Sequence, residues 1–174
     1  MHTQKHSMTP LAAVAAGLLA GAAGTVCLDT FWYVRYRRAG GKDSALAWEF
    51  PKVDSWGKAP DPGKAAKRLI EGFTQRELPD RWAGLTSTVA HWGYGSGWGA
   101  VYGVVAGSLR GPRPVYGVPF GAVVWGTDYV VLPVAGIYRP IWEYDAKTLA
   151  TDLSAHLAYG AGTGAAFWLI TKLW

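Results

Sequence analysis

The sequence predicts an all-α membrane protein, a single domain in which four transmembrane helices form a bundle. Its composition is the first observation behind this prediction. Half of the 174 residues are hydrophobic and only 17% are charged, whereas about a quarter of a soluble domain is charged. The second observation is a set of four apolar segments, each about as long as the roughly 20 helical residues that cross a bilayer.

The four predicted transmembrane helices cover residues 10–34, 85–107, 117–137 and 153–172. The first contains one charge, Asp29. It ends in aromatic residues and is followed by three arginines, so we expect a retained helix rather than a signal peptide. The second contains no Asp, Glu, Lys or Arg. The third contains Pro133, which we expect to kink it.

The distribution of cations predicts the orientation in the membrane. Eleven Lys and Arg lie between Arg35 and Arg81, and the loop after the third helix adds Arg139 and Lys147. Because positively charged loops remain in the cytoplasm, we expect the loop of residues 35–84 there and both termini outside. These cations flank apolar segments instead of forming a basic face. The formal net charge of +5 therefore does not predict nucleic acid as a partner.

A short amphipathic helix is predicted within the long loop, at about residues 62–75. Its apolar residues recur at helical spacing and its cations lie off that face. The apolar residues are Ala66, Leu69, Ile70 and Phe73, and the cations are Lys64, Lys67 and Arg68. Such a helix either lies on the membrane surface, near anionic lipid headgroups, or packs over the bundle.

Small residues recur every four positions on three of the predicted helices. The glycines of these ridges are Gly17, Gly21, Gly95, Gly99, Gly103, Gly160 and Gly164. Ridges of this kind let helix backbones approach closely in lipid, where dispersion drives their association. They predict tight packing, either within one chain or between copies of it.

An internal repeat is predicted from two matching segments. His, Tyr, three Gly and Ala occur at identical spacing in residues 91–100 and 156–165. The helices that precede these segments also match, since each carries two glycines four residues apart and a later aspartate. The matches predict two tandem helix–loop–helix units in parallel orientation.

The candidate site consists of four ionisable residues at membrane depth: Asp29, His91, Asp128 and His156. At 1.5 Å per residue, each lies about 4 to 13 Å from the cytoplasmic end of its helix. An unpaired charge is costly at that depth, so we expect the four to face the bundle and form Asp–His pairs. We expect Tyr94 and Tyr159 beside them and Glu143 at the entrance to the site.

Three interpretations of this intramembrane polar cluster remain open. The pairs either fix the helices in place, or bind a proton, ion or small solute, or hold haem b between two histidines. The sequence contains no Ser–His–Asp arrangement, phosphate-binding loop or zinc-ligand spacing, so no catalytic residue and no metal site is predicted. The single cysteine, Cys27, cannot form an internal disulfide.

The second half of the chain carries a family resemblance. Its features are His91 and His156 within helices, the run LPVAGI at residues 132–137 and the block WEY at residues 142–144. Over roughly residues 85–170 the chain resembles the YagU-like family of bacterial inner-membrane proteins. The resemblance implies a polytopic fold in the inner membrane but no biochemical activity. The Lys-rich first half and Asp128 depart from the family's pattern.

The sequence favours a non-enzymatic integral membrane protein, an accessory or assembly subunit or a homo-oligomer. Its glycine ridges suit contacts with other membrane helices, in addition to the lipid bilayer. A small proton, ion or solute transporter or channel that uses the Asp/His cluster is the main alternative. A bis-histidine haem protein is the second.

Overall fold

The chain is all-α in the residues that its computed structural model describes, which are 8–109 and 114–173. These two ranges contain six α-helices and no strand. Short 3-10 turns connect the helices, at Trp56–Lys58, Asp80–Trp82, Pro114–Tyr116 and Ile141–Glu143. The predicted all-α fold class is thereby confirmed. The loop tip at residues 110–113 lies outside the described residues.

The α-helices are α1 (Pro10–Arg38), α2 (Ala45–Glu49), α3 (Asp61–Thr74), α4 (Ala83–Gly107), α5 (Gly117–Val134) and α6 (Ala146–Lys172). Helix α6 begins earlier than expected because the Asp145 side chain caps it, accepting a hydrogen bond from the Thr148 N–H at 3.0 Å. Helix α5 ends at Val134 instead of residue 137. Pro133 is in its last turn, and Gly136, with φ of +65°, then redirects the chain.

Two segments among the described residues are long and apolar enough to cross a membrane. They are Pro10–Arg38 and Pro114–Val134, which include the whole of α1 and α5. Many large apolar side chains are exposed on the outside of the bundle, for example Leu19 on α1 and Val130 on α5, at 66% and 67% of their surface. Exposed apolar surface on this scale marks a face that contacts lipid or other protein.

Helix α1 is central in the bundle. It packs along α4 on one side and along α6 on another, while α5 packs along α6. The helices run antiparallel in the α1–α4 and α5–α6 contacts. In the first, Gly17 lies against Gly103 and Gly21 against Gly95; in the second, Gly117 lies against Gly164 and Gly121 against His156. The C-terminal end of α1 and the N-terminal end of α4 therefore meet at one end of the bundle. We call this end, which carries the long loop, the loop end.

Glycines bring the backbones of α1 and α4 into direct contact. Gly17 lies against Gly99 and Gly103, and Gly21 lies against Gly95 and Gly99. A Cβ atom added to Gly21 would lie 2.8 Å from the Gly99 Cα, closer than real Cβ atoms approach. No side chain fits between these helices, so any larger residue must push their axes apart.

The α5–α6 contact is also made by glycine backbones, but the two helices are aligned in a different register. Gly117 lies against Gly160 and Gly164, and Gly121 lies against the His156 carbonyl and Gly160. By the sequence repeat, Gly160 corresponds to Gly95 and Gly164 to Gly99. Helix α6 is therefore displaced by about one helical turn along α5, compared with α4 along α1.

The end of the bundle away from the loop end is closed by a buried apolar cluster. Its members are Ala16, Ala20, Tyr102, Ala106 and Phe167. The Phe167 ring is fully buried and meets the Tyr102 ring edge-on, with ring centroids 5.6 Å apart. The small side chains of α1 make room for these rings.

The long loop folds back onto the loop end. Gly63 of α3 packs against Ser87 of α4, so α3 lies over the first turns of α4. The Trp56 ring holds two distant parts of the loop together, because its Nε1–H donates to the Leu78 carbonyl at 2.7 Å. The C-terminal half of α3 leaves Leu69 and Phe73 exposed, at 64% and 88% of their surface.

The α1–α4 contact generates a stability prediction with a control on the same helix. Gly99→Ala places a methyl group against the α1 backbone, and we expect it to lower the free energy of unfolding by about 1–3 kcal/mol. The methyl group that Gly97→Ala adds points into open space. It should be neutral or stabilising by up to ~1 kcal/mol, because alanine favours helix over glycine.

Reversible unfolding of the two variants in detergent micelles measures this difference. Equal stability of both variants would show that α1 and α4 do not approach as closely as described.

Candidate functional site

Each buried aspartate of the bundle lies beside one histidine. His91 Nε2 lies 3.0 and 3.1 Å from the two carboxylate oxygens of Asp29, across the α1–α4 contact. His156 Nε2 lies 3.2 Å from Asp128 Oδ2, across the α5–α6 contact. Both aspartates are buried, with 9% of the residue surface exposed. The four residues thus form two Asp–His pairs at the loop end, rather than one undivided cluster.

The glycine contacts place these pairs. Asp29 lies two turns beyond Gly21 on α1, and His91 lies one turn before Gly95 on α4. Because the helices are antiparallel and their backbones touch at Gly21 and Gly95, the carboxylate and the ring reach each other. The register of the glycines therefore decides which polar residues meet.

Tyrosine hydroxyls connect the α1–α4 half of the bundle to the α5–α6 half. The Tyr94 hydroxyl, on α4, donates to Asp128 Oδ1 on α5. The Tyr159 hydroxyl, on α6, donates to the Gly95 carbonyl on α4 at 2.6 Å. Tyr94 therefore contacts the second pair directly, and each tyrosine bridges one helix–loop–helix unit to the other.

The second pair holds an additional proton. His156 Nδ1 lies 2.9 Å from the Asp152 carbonyl oxygen, which only accepts hydrogen bonds, so Nδ1 carries a hydrogen. The contact between Nε2 and Asp128 then needs another proton, placed either on Nε2 or on the carboxyl group. The Asp128–His156 pair is therefore neutral overall.

The first pair has no such requirement. A single hydrogen on His91 Nε2 satisfies both oxygens of Asp29, and the ring can be neutral or charged. Each pair therefore consists of one aspartate and one histidine, but the hydrogen bonds of the second pair require one more proton than those of the first.

Sequence reasoning missed a second acid at each pair. Glu49, at the end of α2, accepts a hydrogen bond from Trp92 Nε1 at 3.1 Å and lies beside Asp29 and His91. The carboxylate of Asp152 lies 3.6 Å from His156 Nδ1. Asp152 is one turn before His156, so its spacing was a signal for the second pair. Nothing in the sequence marks Glu49, whose position depends on the path of the loop.

A cavity of about 190 Å³ opens beside the first pair. The loop contributes one wall through Trp48, Glu49 and Val53, and α4 contributes the other. Asp29 and His91 line it. Burial raises the pKa of the Glu49 carboxyl above its ordinary value, and the neighbouring Asp29 charge raises it further. The cavity therefore gathers two carboxylates and one imidazole beneath a cover of aromatic rings.

Glu143 lies elsewhere on the loop end. It ends the turn Ile141–Glu143, its side chain is exposed, and it is not among the residues that line the cavity.

The arrangement of the histidines does not fit an axial pair for haem b. Each Nε2 faces an aspartate, and the remaining nitrogen of His156 is bonded to the Asp152 carbonyl. A bis-histidine iron needs one free ring nitrogen from each residue, directed at a shared space.

Comparisons with family models, curated proteins and solved structures found no match. The resemblance to the YagU-like family therefore stays a prediction from the sequence.

The hydroxyl bridge of Tyr94 generates a prediction. Tyr94→Phe removes a donor from the buried Asp128 carboxylate, and we expect it to lower the free energy of unfolding by about 1 kcal/mol. Tyr102→Phe is the matched control on the same helix. The buried Tyr102 hydroxyl has no hydrogen-bond partner among the described residues, so its removal should be neutral or stabilising.

Parallel unfolding of the two purified variants in one detergent provides the comparison. A destabilised Tyr102→Phe beside an unchanged Tyr94→Phe would contradict the assigned hydroxyl bonds.

Proposed function

We propose that this chain crosses a membrane four times and binds protons or cations at its two Asp–His pairs, as a small transporter. The observation that carries the proposal is the placement of Asp29 and Asp128. Both are buried carboxylates, each is bonded to a histidine, and both lie at the same end of a helical bundle. Ionisable groups at membrane depth mark ion or proton sites more often than they serve packing alone.

The packing of α4 and α6 supports the proposal of four crossings. A bilayer core is about 30 Å thick, and at 1.5 Å per residue helices of 25 and 27 residues exceed that length. Helix α4 contains no Asp, Glu, Lys or Arg, and neither does α6 between Leu153 and Thr171. Since both lie along α1, a bilayer that surrounds α1 surrounds them as well.

The loop end faces the cytoplasm in this proposal, by the excess of cations in the loop. The bacterial inner membrane follows from the family resemblance. Helix α3 fits the membrane surface at this end, because Leu69 and Phe73 are exposed beside Arg68. Apolar side chains next to cations suit the boundary between acyl chains and anionic headgroups.

The neutral Asp128–His156 pair supports proton binding in particular. A proton shared by a carboxyl and an imidazole can be released when a second cation approaches, because the added positive charge favours the ionised carboxylate. The cavity gives the loop end access to water, while Tyr102 and Phe167 close the opposite end. Among the described residues, a cavity at the loop end thus borders the first pair, as one state of alternating access would have it.

The sidedness of the membrane generates a labelling prediction. In a Cys27→Ala background, Lys58→Cys lies in the long loop and Ser108→Cys follows α4 at the other end; both positions are exposed. A maleimide that cannot cross membranes should label Ser108→Cys in intact cells. It should label Lys58→Cys only after permeabilisation. Labelling of both cysteines in intact cells would contradict the proposed topology.

Transport generates a second prediction. In liposomes with an imposed pH gradient, the wild-type protein should dissipate the gradient, as followed by an internal pH-sensitive dye. Asp128→Asn should reduce the rate at least ~10-fold, because the amide cannot exchange a proton with His156. Asp54→Asn is the control, since Asp54 is exposed and pairs with Lys58 on the loop.

Equal rates for the wild-type protein and for empty liposomes would overturn transport. An accessory or homo-oligomeric role is then the second candidate, favoured by α5, which packs mainly against α6 and leaves Val123, Val130 and Val134 exposed. The intact mass after gentle extraction distinguishes a foreign partner from a second copy.

A further inference from the structure

Three donor groups from distant parts of the chain converge at the first Asp–His pair. A carboxylate oxygen of Asp29, a carboxylate oxygen of Glu49 and a ring nitrogen of His91 all lie within 4.8 Å of one another. They come from α1, α2 and α4. Two of them are already in contact, with 3.0 Å between His91 Nε2 and Asp29 Oδ1.

Contacts of the long loop fix the position of Glu49. Helix α2 turns back onto α1, where the Trp48 ring packs on Tyr33 and Tyr36, with ring centroids 5.6 and 6.2 Å apart. The Trp92 indole then holds Glu49 Oε1 from α4, which leaves Oε2 without that bond. The chain thus directs a carboxylate towards another carboxylate, although their mutual repulsion opposes this placement.

We propose that Asp29, Glu49 and His91 bind one divalent transition-metal ion, of which zinc is the representative. Two carboxylates and a neutral imidazole carry a charge of −2, and a divalent cation neutralises it. A buried site without counter-charge is costly, whereas a neutral site is stable in a region of low dielectric.

The donor set selects the class of metal. One imidazole nitrogen with two carboxylate oxygens suits zinc, manganese or iron, while calcium and magnesium prefer oxygen donors alone. Zinc binds these ligands at about 2.0–2.2 Å, so neighbouring donors in a tetrahedral site are ~3.4 Å apart. The Asp29–His91 contact is already near this separation, and Glu49 needs only a small movement.

Three protein ligands leave a fourth position, which the cavity of about 190 Å³ can fill with water. Thr88 and Ser87 line the cavity as further polar groups. The inference deepens the proposed function and rests on it for the aqueous access from the loop side. It names the cation of the first pair and leaves the second pair to protons.

The second Asp–His pair serves as an internal control for metal binding at the first. Its His156 Nδ1 is bonded to the Asp152 carbonyl, and Asp128 Oδ1 accepts from Tyr94. These bonds occupy groups that would otherwise be free to bind metal. A substitution at His156 therefore removes a buried Asp–His contact of the same kind without touching the proposed metal ligands.

The test measures zinc binding by the purified, untagged full chain in detergent, after treatment with a chelator. Isothermal titration with zinc chloride and metal analysis after desalting should give one zinc per chain. Glu49→Gln should weaken binding at least ~100-fold, because loss even of an outer partner costs 10–100-fold. His156→Ala should bind like the wild-type protein. Deletion of residues 2–7 removes His2 and His6 and should leave binding unchanged.

Thermal unfolding with and without zinc gives a second readout, which also reports whether each variant is folded. Zinc should raise the melting temperature of the wild-type protein and of His156→Ala, but not that of Glu49→Gln or Asp29→Asn. Absence of zinc binding by the wild-type protein would overturn the inference. So would binding by Glu49→Gln with wild-type affinity, or binding that disappears with residues 2–7.

The metal measurement uses no membrane gradient, so it fails independently of transport. Proton flux without zinc binding would refute the metal site alone. Zinc binding without flux would refute transport and leave the metal site in place.

Discussion

Direct contact between glycine backbones is the constraint on which the rest of this bundle depends. Between α1 and α4, and again between α5 and α6, carbonyl oxygens and Cα atoms occupy the space that side chains fill in ordinary helix packing. Such interfaces gain their stability from dispersion over a large, close surface, which remains favourable in lipid where apolar side chains gain little from burial. They also fix the distance between helices to a narrow range. A polar side chain just beyond the glycines therefore meets its partner across a gap of predictable width.

The polar residues make two kinds of contact. The aspartates and histidines pair within each helix–loop–helix unit, whereas Tyr94 and Tyr159 bond across the units. Movement of one unit against the other would break these hydroxyl bonds before it disturbed the pairs. The bundle thus combines two stiff halves with a small number of polar links between them, and α1 and α6 provide most of the packing that joins the halves.

Much of this could be predicted from the sequence because periodicity is a local property. Glycines four residues apart lie on one face of any helix, and the depths of Asp29 and His91 follow from counting residues. The position of Glu49 could not be predicted in this way. It depends on a turn after α1, with Gly40 at φ of +94°, and on aromatic contacts between α2 and α1. Helix ends were also missed where side chains set them, as Asp145 does for α6.

The difference in register between the two glycine contacts has a mechanical consequence. A ridge of glycines with a period of four presents nearly the same profile after a slide of one turn, about 5.4 Å. Shape alone therefore does not tell a helix where to stop along its neighbour. The α1–α4 and α5–α6 contacts occupy two of these stopping places, although their motifs match. An Asp–His pair forms at the loop end in both stopping places, as Asp29–His91 in one and as Asp128–His156 in the other. Each Asp–His bond therefore stabilises the register in which its two helices are found. Loss of that bond removes a barrier to sliding by one helical turn.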